Sequence, residues 1–267
     1  MPYLPLLCTV KPFRQQKQQN RPKKSLLVLG KEAVISAMEE GRQLDRIYIR
    51  NNIYGREAES LFGAATKSGV PVNKVPEEKL KGFNVEGHNG VIGVLSVIHY
   101  QQLQDVISMV VEKGETPLFL ILDGITDIRN IGGIARTAYC CGVHALVIPE
   151  KGVGALNEDA IQTSAGALEQ LTVCRVNSLM KAVDEFHLNG IKVYASEMTA
   201  TVSITDCGLN EPCAIVMGSE ENGIYPALMK ICDEKIKIPM KGNFESLNVS
   251  VATGMILYEA MRQRNFS

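Results

Sequence analysis

Leu118-Phe119-Leu120-Ile121-Leu122-Asp123-Gly124-Ile125-Thr126-Asp127-Ile128-Arg129-Asn130-Ile131-Gly132-Gly133-Ile134-Ala135-Arg136 (residues 118–136) decides the fold class. Its five opening apolar residues read as a strand buried on both faces, the kind found in a parallel sheet covered by helices. After Asp123-Gly124 the period changes. Ile131, Ile134, Ala135, Ala138 and Gly142 fall on one helical stripe, and Arg136 lies off it at about 100° per residue. Gly132 and Gly133, in the first turn, admit close approach of another backbone or of a ligand. On spacing alone, a ligand-facing helix start and a glycine-softened helix with a surface arginine are equally good readings.

Outward from this stretch, apolar and polar segments alternate in an α/β rhythm. Downstream strands are expected at Ala145–Ile148, Leu171–Arg175, Lys192–Ala195, Cys213–Met217 and Lys235–Ile238. Helical segments between them predict a largely parallel sheet with helices on both sides. Upstream, strands at Leu26–Leu29, Arg46–Ile49, Val70–Val75 and Gly90–Ile98 and helices at Glu32–Glu40 and Arg56–Lys67 make a small α/β unit. Between the units Tyr100–Lys113 is amphipathic, with Leu103, Val106, Ile107 and Val110 at helical spacing, and Gly114 closes it. The division is therefore a basic flexible leader over 1–24, a small domain over 25–98, a linker helix over 99–115 and the main α/β domain over 116–267.

Composition narrows the function classes. The 267 residues are 45% hydrophobic, and no apolar run approaches the ~20 needed to cross a bilayer. Net charge is −1, from 28 Lys+Arg and 29 Asp+Glu, which by itself argues against a nucleic-acid partner. The distribution is uneven, however. Residues 1–24 hold six bases (Lys11, Arg14, Lys17, Arg21, Lys23, Lys24) and no acid, so the remaining chain has 22 bases against 29 acids. Such a leader is either an arm for phosphates or an extension outside the fold. Its apolar stretch, Leu4 to Val10, precedes the charges, unlike a secretory signal. Seven cysteines (Cys8, Cys140, Cys141, Cys174, Cys207, Cys213, Cys232) without a CxxC pair read as reduced thiols of a cytoplasmic protein. The four histidines (His88, His99, His144, His187) lie far apart with no metal-ligand spacing, so no metal is expected.

Two further segments match the first in their density of Gly, Asn, Ser and charge. Met217-Gly218-Ser219-Glu220-Glu221-Asn222-Gly223-Ile224 is a glycine-bracketed loop after an apolar strand. Ile238-Pro239-Met240-Lys241-Gly242-Asn243-Phe244-Glu245-Ser246-Leu247-Asn248-Val249-Ser250-Val251-Ala252 leads into a terminal helix, with Ser246 and Asn248 as capping types. That helix is apolar nearly all round, so the core or a second subunit must cover more than one side. All three segments sit at carboxyl ends of predicted strands, where open α/β sheets bind ligands. There is no GxxxxGK[ST], no GxGxxG after the first strand and no GxSxG, which disfavours P-loop, conventional dinucleotide and serine-hydrolase chemistry.

Asn130-Ile131-Gly132-Gly133-Ile134-Ala135-Arg136, Met217-Gly218-Ser219-Glu220 and Ser246-Leu247-Asn248-Val249-Ser250-Val251-Ala252 resemble the three motifs of the SpoU (TrmH) family, in order and spacing, over about residues 116–264. This family comprises S-adenosylmethionine-dependent RNA ribose 2′-O-methyltransferases of the SPOUT superfamily. The first unit, through Gly30 and Gly87-His88-Asn89-Gly90-Val91-Ile92, resembles the ribosomal-protein-like RNA-binding domain of the subgroup that methylates a guanosine in 23S rRNA; Lys31 stands where that subgroup carries His. The resemblance implies a deep trefoil knot in the C-terminal domain and a homodimer with active sites at the subunit interface. It places S-adenosyl-L-methionine near Ala195, Ser196, Glu197, Gly218, Ile238, Met240, Ser246 and Leu247, and RNA near Lys31, His88, Asn89, Arg129 and Lys241.

By the same resemblance Arg136 acts on the ribose hydroxyl, and Asn130, Glu220, Ser246 and Asn248 orient it and the ribose, with Glu220 a partner for its guanidinium fork. A guanidinium with a pKa above ~12 is a poor base, which favours electrostatic stabilisation of the developing alkoxide. The rivals are a tRNA ribose methyltransferase, a resistance-type rRNA methylase, a non-catalytic RNA-binding scaffold and a nicotinamide enzyme. The intact polar set stands against the scaffold, and the missing glycine fingerprint against the nicotinamide enzyme.

Overall fold

The computed structural model describes residues 23–242 and 246–264. Apart from Lys23 and Lys24, the leader expected over 1–24 lies outside the described residues, and so does Cys8. Two sheets form two domains.

The small domain runs β1 (Leu27–Leu29), α1 (Lys31–Glu39), β2 (Leu44–Arg50), α2 (Arg56–Lys67), β3 (Val72–Val75), α3 (Glu77–Lys81) and β4 (Val91–Leu95), with strand order β1-β4-β2-β3. Leu44, Ile47 and Ile49 of β2 are buried together with Val34, Ala37 and Met38 of α1 and Leu61 and Ala65 of α2. The opposite face of the sheet is closed by Val75, Leu80 and Ile92. β2 runs parallel to β3 and antiparallel to β4, which is itself antiparallel to β1. The ends of β1, β2 and β3 and the start of β4 therefore share one edge.

The main domain adds β5 (Tyr100–Gln101), α4 (Leu103–Glu112), β6 (Leu118–Asp123), α5 (Ile128–Cys140), β7 (Ala145–Pro149), α6 (Glu158–Thr163), α7 (Ala167–Gln170), β8 (Val173–Val176) and α8 (Leu179–Leu188). It continues through β9 (Lys192–Ser196), β10 (Val202–Ser203), β11 (Cys213–Gly218), α9 (Pro226–Ile231), β12 (Glu234–Lys237) and α10 (Val249–Gln263). Strand order is β10-β12-β9-β11-β6-β7-β8-β5, and every pairing is parallel. Because side chains alternate across a strand, β6 divides between two cores. Leu118, Leu120 and Leu122 join the α5–α7 and α10 side, and Phe119 and Ile121 join the α4, α8 and α9 side. The doubly buried strand is thus the middle of a three-layer sandwich, and all its loops of one polarity gather at one edge.

Several boundaries differ from expectation for local reasons. Tyr100–Lys113 is not one helix: Tyr100 and Gln101 pair with Val173 and Cys174 as the outermost strand, and the helix begins at Leu103. The apolar stripe of α4 is buried against Phe119, Val147 and Phe186, so it forms a layer of the main domain. Gly90–Ile98 stops being a strand at Leu95, where the Ser96 hydroxyl accepts from Ile98 N–H and turns the chain. The strand expected at Leu171 starts at Val173, because Leu171 still closes α7.

Gly132 admits the close approach of another backbone. A Cβ there would lie 2.7 Å from Thr163 Cβ and 2.9 Å from the Thr163 main chain, so this glycine seats α5 on α6. At Gly133 a Cβ would stand 3.4 Å from Ser250 Cβ, on α10. α5 thus lies between α6 and α10, and at Gly132 a larger residue would push it off α6, whereas a Cβ at Gly133 would make only an ordinary contact with α10.

Candidate functional site

Parallel strands deliver the three polar segments to one edge of the main sheet. After β6, Asp127 caps α5: its carboxylate accepts from Arg129 N–H at 2.8 Å. After β11, the chain doubles back at once. Ser219 and Gly223 exchange main-chain hydrogen bonds of 3.1 and 2.9 Å, and Asp123 at the end of β6 accepts from Tyr225 N–H at 2.6 Å. This fold-back excludes any side chain at Gly218, where a Cβ would sit 2.2 Å from the Gly223 main chain. After β12 the chain reaches Asn248, which caps α10 by accepting from Ser250 and Val251 N–H.

Glu220 ties the segments together. Its Oε1 accepts from Asn130 Nδ2 at 3.3 Å, from Asn248 Nδ2, and from Val249 N–H at 3.2 Å. A carboxylate accepts only, so it orients both amide groups with their NH₂ inward. Asn248 Nδ2 also donates to Asn130 Oδ1 at 3.0 Å, closing a triangle of residues far apart in sequence. Asn248 therefore serves twice, its Oδ1 capping a helix and its Nδ2 joining the hub. Oε2 of Glu220 accepts no hydrogen bond among the described residues.

Of the expected catalytic set, Asn130, Glu220 and Asn248 converge. Ser246 is exposed, with no hydrogen bond among the described residues. The expected pairing of Glu220 with Arg136 is not formed. Six residues of helix turn Arg136 about 240° from Asn130, and its guanidinium is exposed with no partner among the described residues. Arg136 instead shares a stripe with Arg129, seven residues earlier. Next to it the apolar side chains of Tyr139 on α5 and of Val251, Met255 and Tyr258 on α10 are 43–59% exposed. Among the described residues, the last helix is therefore covered on one side only.

The expected cofactor residues occupy the carboxyl ends of three adjacent strands. Ala195, Ser196 and Glu197 end β9, Gly218 ends β11, and Ile238 and Met240 follow β12. Ala195 and Ile238 are buried, while Met240 and Leu247 are half-buried and supply apolar surface. Glu197 is held by its own N–H to Ile236 O (2.9 Å) and accepts from Thr199. Strand ends, apolar walls and a nearby carboxylate fit a flat heteroaromatic group carrying a cationic centre.

The expected RNA-facing residues fall into two groups. Lys31, His88 and Asn89 meet at the shared edge of the small sheet, where Gly30 N–H donates to Val91 O at 3.0 Å. His88 Nδ1 accepts from Gly90 N–H at 3.0 Å, which leaves Nε2–H as an outward donor in the neutral ring. Arg129 and Lys241 lie beside the hub segments on the main domain. Arg129 is ion-paired with its capping partner Asp127 at 3.0 Å, and that hydrogen bond holds the Asp127 carboxyl below its usual range.

Sequence reasoning missed Asp123, which anchors the Glu220 loop. Its signal was an acid at the carboxyl end of an otherwise apolar strand. Among the described cysteines, burial pushes the Cys174 thiol up to about 12 and those of Cys207, Cys213 and Cys232 to about 11, so these four are packing groups. No group of three His, Cys, Asp or Glu among the described residues is arranged to hold a metal, and no helix among them is long and apolar enough to cross a membrane.

Replacing Asn248 separates its two duties. Asn248→Asp keeps the capping acceptor but sets a carboxylate against Glu220, so the activity expected from the resemblance should fall by at least about a hundredfold. Asn248→Ala should lose activity and also about 1–2 kcal/mol of stability through the missing cap. Urea denaturation alongside activity assays checks both; an Asp variant with full activity would remove the hub from the chemistry.

The family model for the SpoU rRNA methylase family matches residues 117–258, and that for RNA 2′-O ribose methyltransferase substrate binding matches residues 27–101. A TrmH family tRNA/rRNA methyltransferase of Bacillus subtilis is 36% identical over 238 residues, covering 89% of this chain and 96% of that one. A TrmH family relative from Staphylococcus haemolyticus is 32% identical over 240 residues, covering 90% and 96%. The solved structure of the SpoU methyltransferase AviRb from Streptomyces viridochromogenes, in complex with AdoMet, shares the fold with a TM-score of 0.57 at 24% identity, over 90% of this chain and 91% of that chain. With its three motif segments joined at one sheet edge and a substrate-binding domain ahead of them, the chain belongs to the SpoU rRNA methylase family and is an S-adenosylmethionine-dependent RNA 2′-O-ribose methyltransferase.

Proposed function

We propose that this enzyme methylates the ribose 2′-OH of a guanosine in 23S rRNA, acting in the cytoplasm as a homodimer with a knotted catalytic domain. The observation that carries the reading is the Asn130–Glu220–Asn248 hub, which unites the three motif segments beside the strand ends that fit the cofactor. S-adenosylmethionine, when bound there, supplies an electrophilic methyl group. The chain's own task is to align a ribose hydroxyl with it and to stabilise the charge that develops on the oxygen.

Ala195–Glu197, Gly218, Ile238, Met240, Ser246 and Leu247 are the residues we assign to the cofactor. Asn130, Asn248 and Glu220 position the ribose, with Ser246 at the mouth. Arg136 is the electrostatic group; its guanidinium stays protonated at any working pH. Since Arg136 faces away from the hub of its own chain, we assign it to the hub of the partner. Support comes from the exposed stripe of Tyr139, Val251, Met255 and Tyr258 around it, a patch suited to an isologous interface. The knot is supported by the path of the chain from β12 past the Glu220 loop and back, as α10, onto α5. The free thiols support a reducing compartment.

The ribosomal target is supported by the substrate-binding domain, whose edge presents Lys31, His88 and Asn89. Lys31 and Asn89 are assigned to phosphate and sugar contacts, with Arg129 and Lys241 continuing the track beside the active site. Incubation with labelled S-adenosylmethionine and separated RNA pools should label 23S rRNA at a 2′-O-methylguanosine; label confined to tRNA would overturn the target.

The arrangement across subunits has its own test. Arg136→Ala and Asn130→Ala should each be inactive with S-adenosylmethionine binding nearly intact. Unfolded together and refolded as a mixture, they should regain about a quarter of wild-type activity, because mixed dimers hold one intact site. No recovery would place Arg136 in its own chain's site.

A further inference from the structure

A buried polar cluster away from the hub joins the two domains. Arg175 lies on β8 with only 8% of its side chain exposed. Its guanidinium donates to two successive main-chain carbonyls at the start of β2, Asp45 O at 2.7 Å and Leu44 O at 2.9 Å. It stacks 4.0 Å from the centre of the Tyr100 ring and stands 3.7 Å from Asp45 Oδ1. The Tyr100 phenol donates to the same Asp45 oxygen at 3.3 Å. Gln43 then clasps the Tyr100 main chain twice, accepting its N–H at 2.8 Å and donating to its carbonyl at 3.0 Å. Residues 43–45 of the small domain are thus gripped by β5 and β8, the last two strands of the catalytic sheet.

The chemistry of the grip is directional. A planar guanidinium can fork into two adjacent carbonyls, and an ammonium cannot do so with the same geometry. Burial, with the Asp45 carboxylate adding to it, pushes the Tyr100 phenol up to about 12, so it remains a donor through the working pH range. Beside the cluster the two domains leave a cavity of about 170 Å³, lined by Arg46, Tyr48 and Val94 on one side and Leu156 and Glu158 on the other. Beside that cavity, the hydrogen bonds of Arg175 and Gln43 are fixed links between the two domains.

The catalytic end of this connection is short. β8 pairs with β7, the chain leaving β7 leads to α6, and α6 is seated on α5 at Gly132, next to Asn130. We propose that Arg175 is a positioning residue, holding the small domain at one distance and angle from the hub so that a folded RNA presents one ribose. The inference rests on the reading that the small domain holds the RNA.

The test uses full-length wild type, Arg175→Met and Arg175→Lys with two RNAs: a folded 23S rRNA fragment, and a short oligonucleotide carrying only the methylated loop. Wild type should prefer the folded RNA. In Arg175→Met, kcat/KM for the folded RNA should fall by about ten- to a hundredfold, the scale of a misplacement of ~1 Å. The value for the oligonucleotide and the affinity for S-adenosylmethionine should stay within about twofold, since neither engages the small domain. Arg175→Lys, which keeps the charge and most of the volume, should fall between and carries the test if the Met variant does not fold. Equal losses on both RNAs, or no loss on either, would overturn the positioning role while leaving the RNA reading standing. A wild-type enzyme indifferent to the two RNAs would overturn that reading and this inference with it.

Discussion

One carboxylate oxygen organises the edge where the three motif segments meet. Glu220 Oε1 collects donors from the first turn of α5, from the cap of α10 and from the α10 main chain. Charge-assisted hydrogen bonds are shorter and stronger than neutral ones, and an acceptor-only centre leaves the surrounding amides no alternative orientation. The loop bearing Glu220 must therefore be held firmly itself. Gly218 and Gly223 allow it to fold back on β11, and Asp123 fastens its far end to β6. A loop so short, fixed at both ends, gives the glutamate little freedom. That rigidity is what a positioned ribose requires.

The wider fold exists to bring those anchors to one edge. In an all-parallel sheet each strand's carboxyl end faces the same way, and the doubly buried β6 keeps that sheet between two helical layers. Two residues after Asn130, Gly132 then seats α5 closely on Thr163 of α6. The same geometry leaves Arg136 exposed beside Tyr139 on α5, away from Asn130.

Much of this was legible in residues alone, because the signals were local. The run Leu118–Leu122 declares a strand with no solvent face, and the density of Gly, Asn and Ser after three strands marks loops freed from core duties. Asn130, Glu220 and Asn248 belonged to those loops and do converge. What failed depended on distances between segments. The pairing of Glu220 with Arg136 ignored the 240° of helix between Asn130 and Arg136, and the purpose of Gly132 depended on Thr163, thirty-one positions away. Tyr100 looked helical because its apolar neighbours follow a helical stripe, yet it pairs with β8 and stacks on Arg175. Nothing local announces a residue whose partners lie 130 positions distant.

The net charge of −1 is the clearest case of a total that misleads. A net charge of −1 gives no overall field to draw RNA, and in the function proposed above recognition is assigned to donors set at chosen edges: His88 on the small domain, and Arg129 and Lys241 beside the hub. Shape and local contacts suit a single folded target better than a uniformly basic surface would. The account turns on Glu220 acting as the organiser of chemistry rather than as a cofactor ligand or a fold-stabilising acid. Single-turnover methyl transfer by Glu220→Ala, at saturating S-adenosylmethionine and RNA, measures this directly. The rate should fall by about a hundredfold or more with cofactor affinity nearly unchanged, and a rate within a few-fold of wild type would contradict the account.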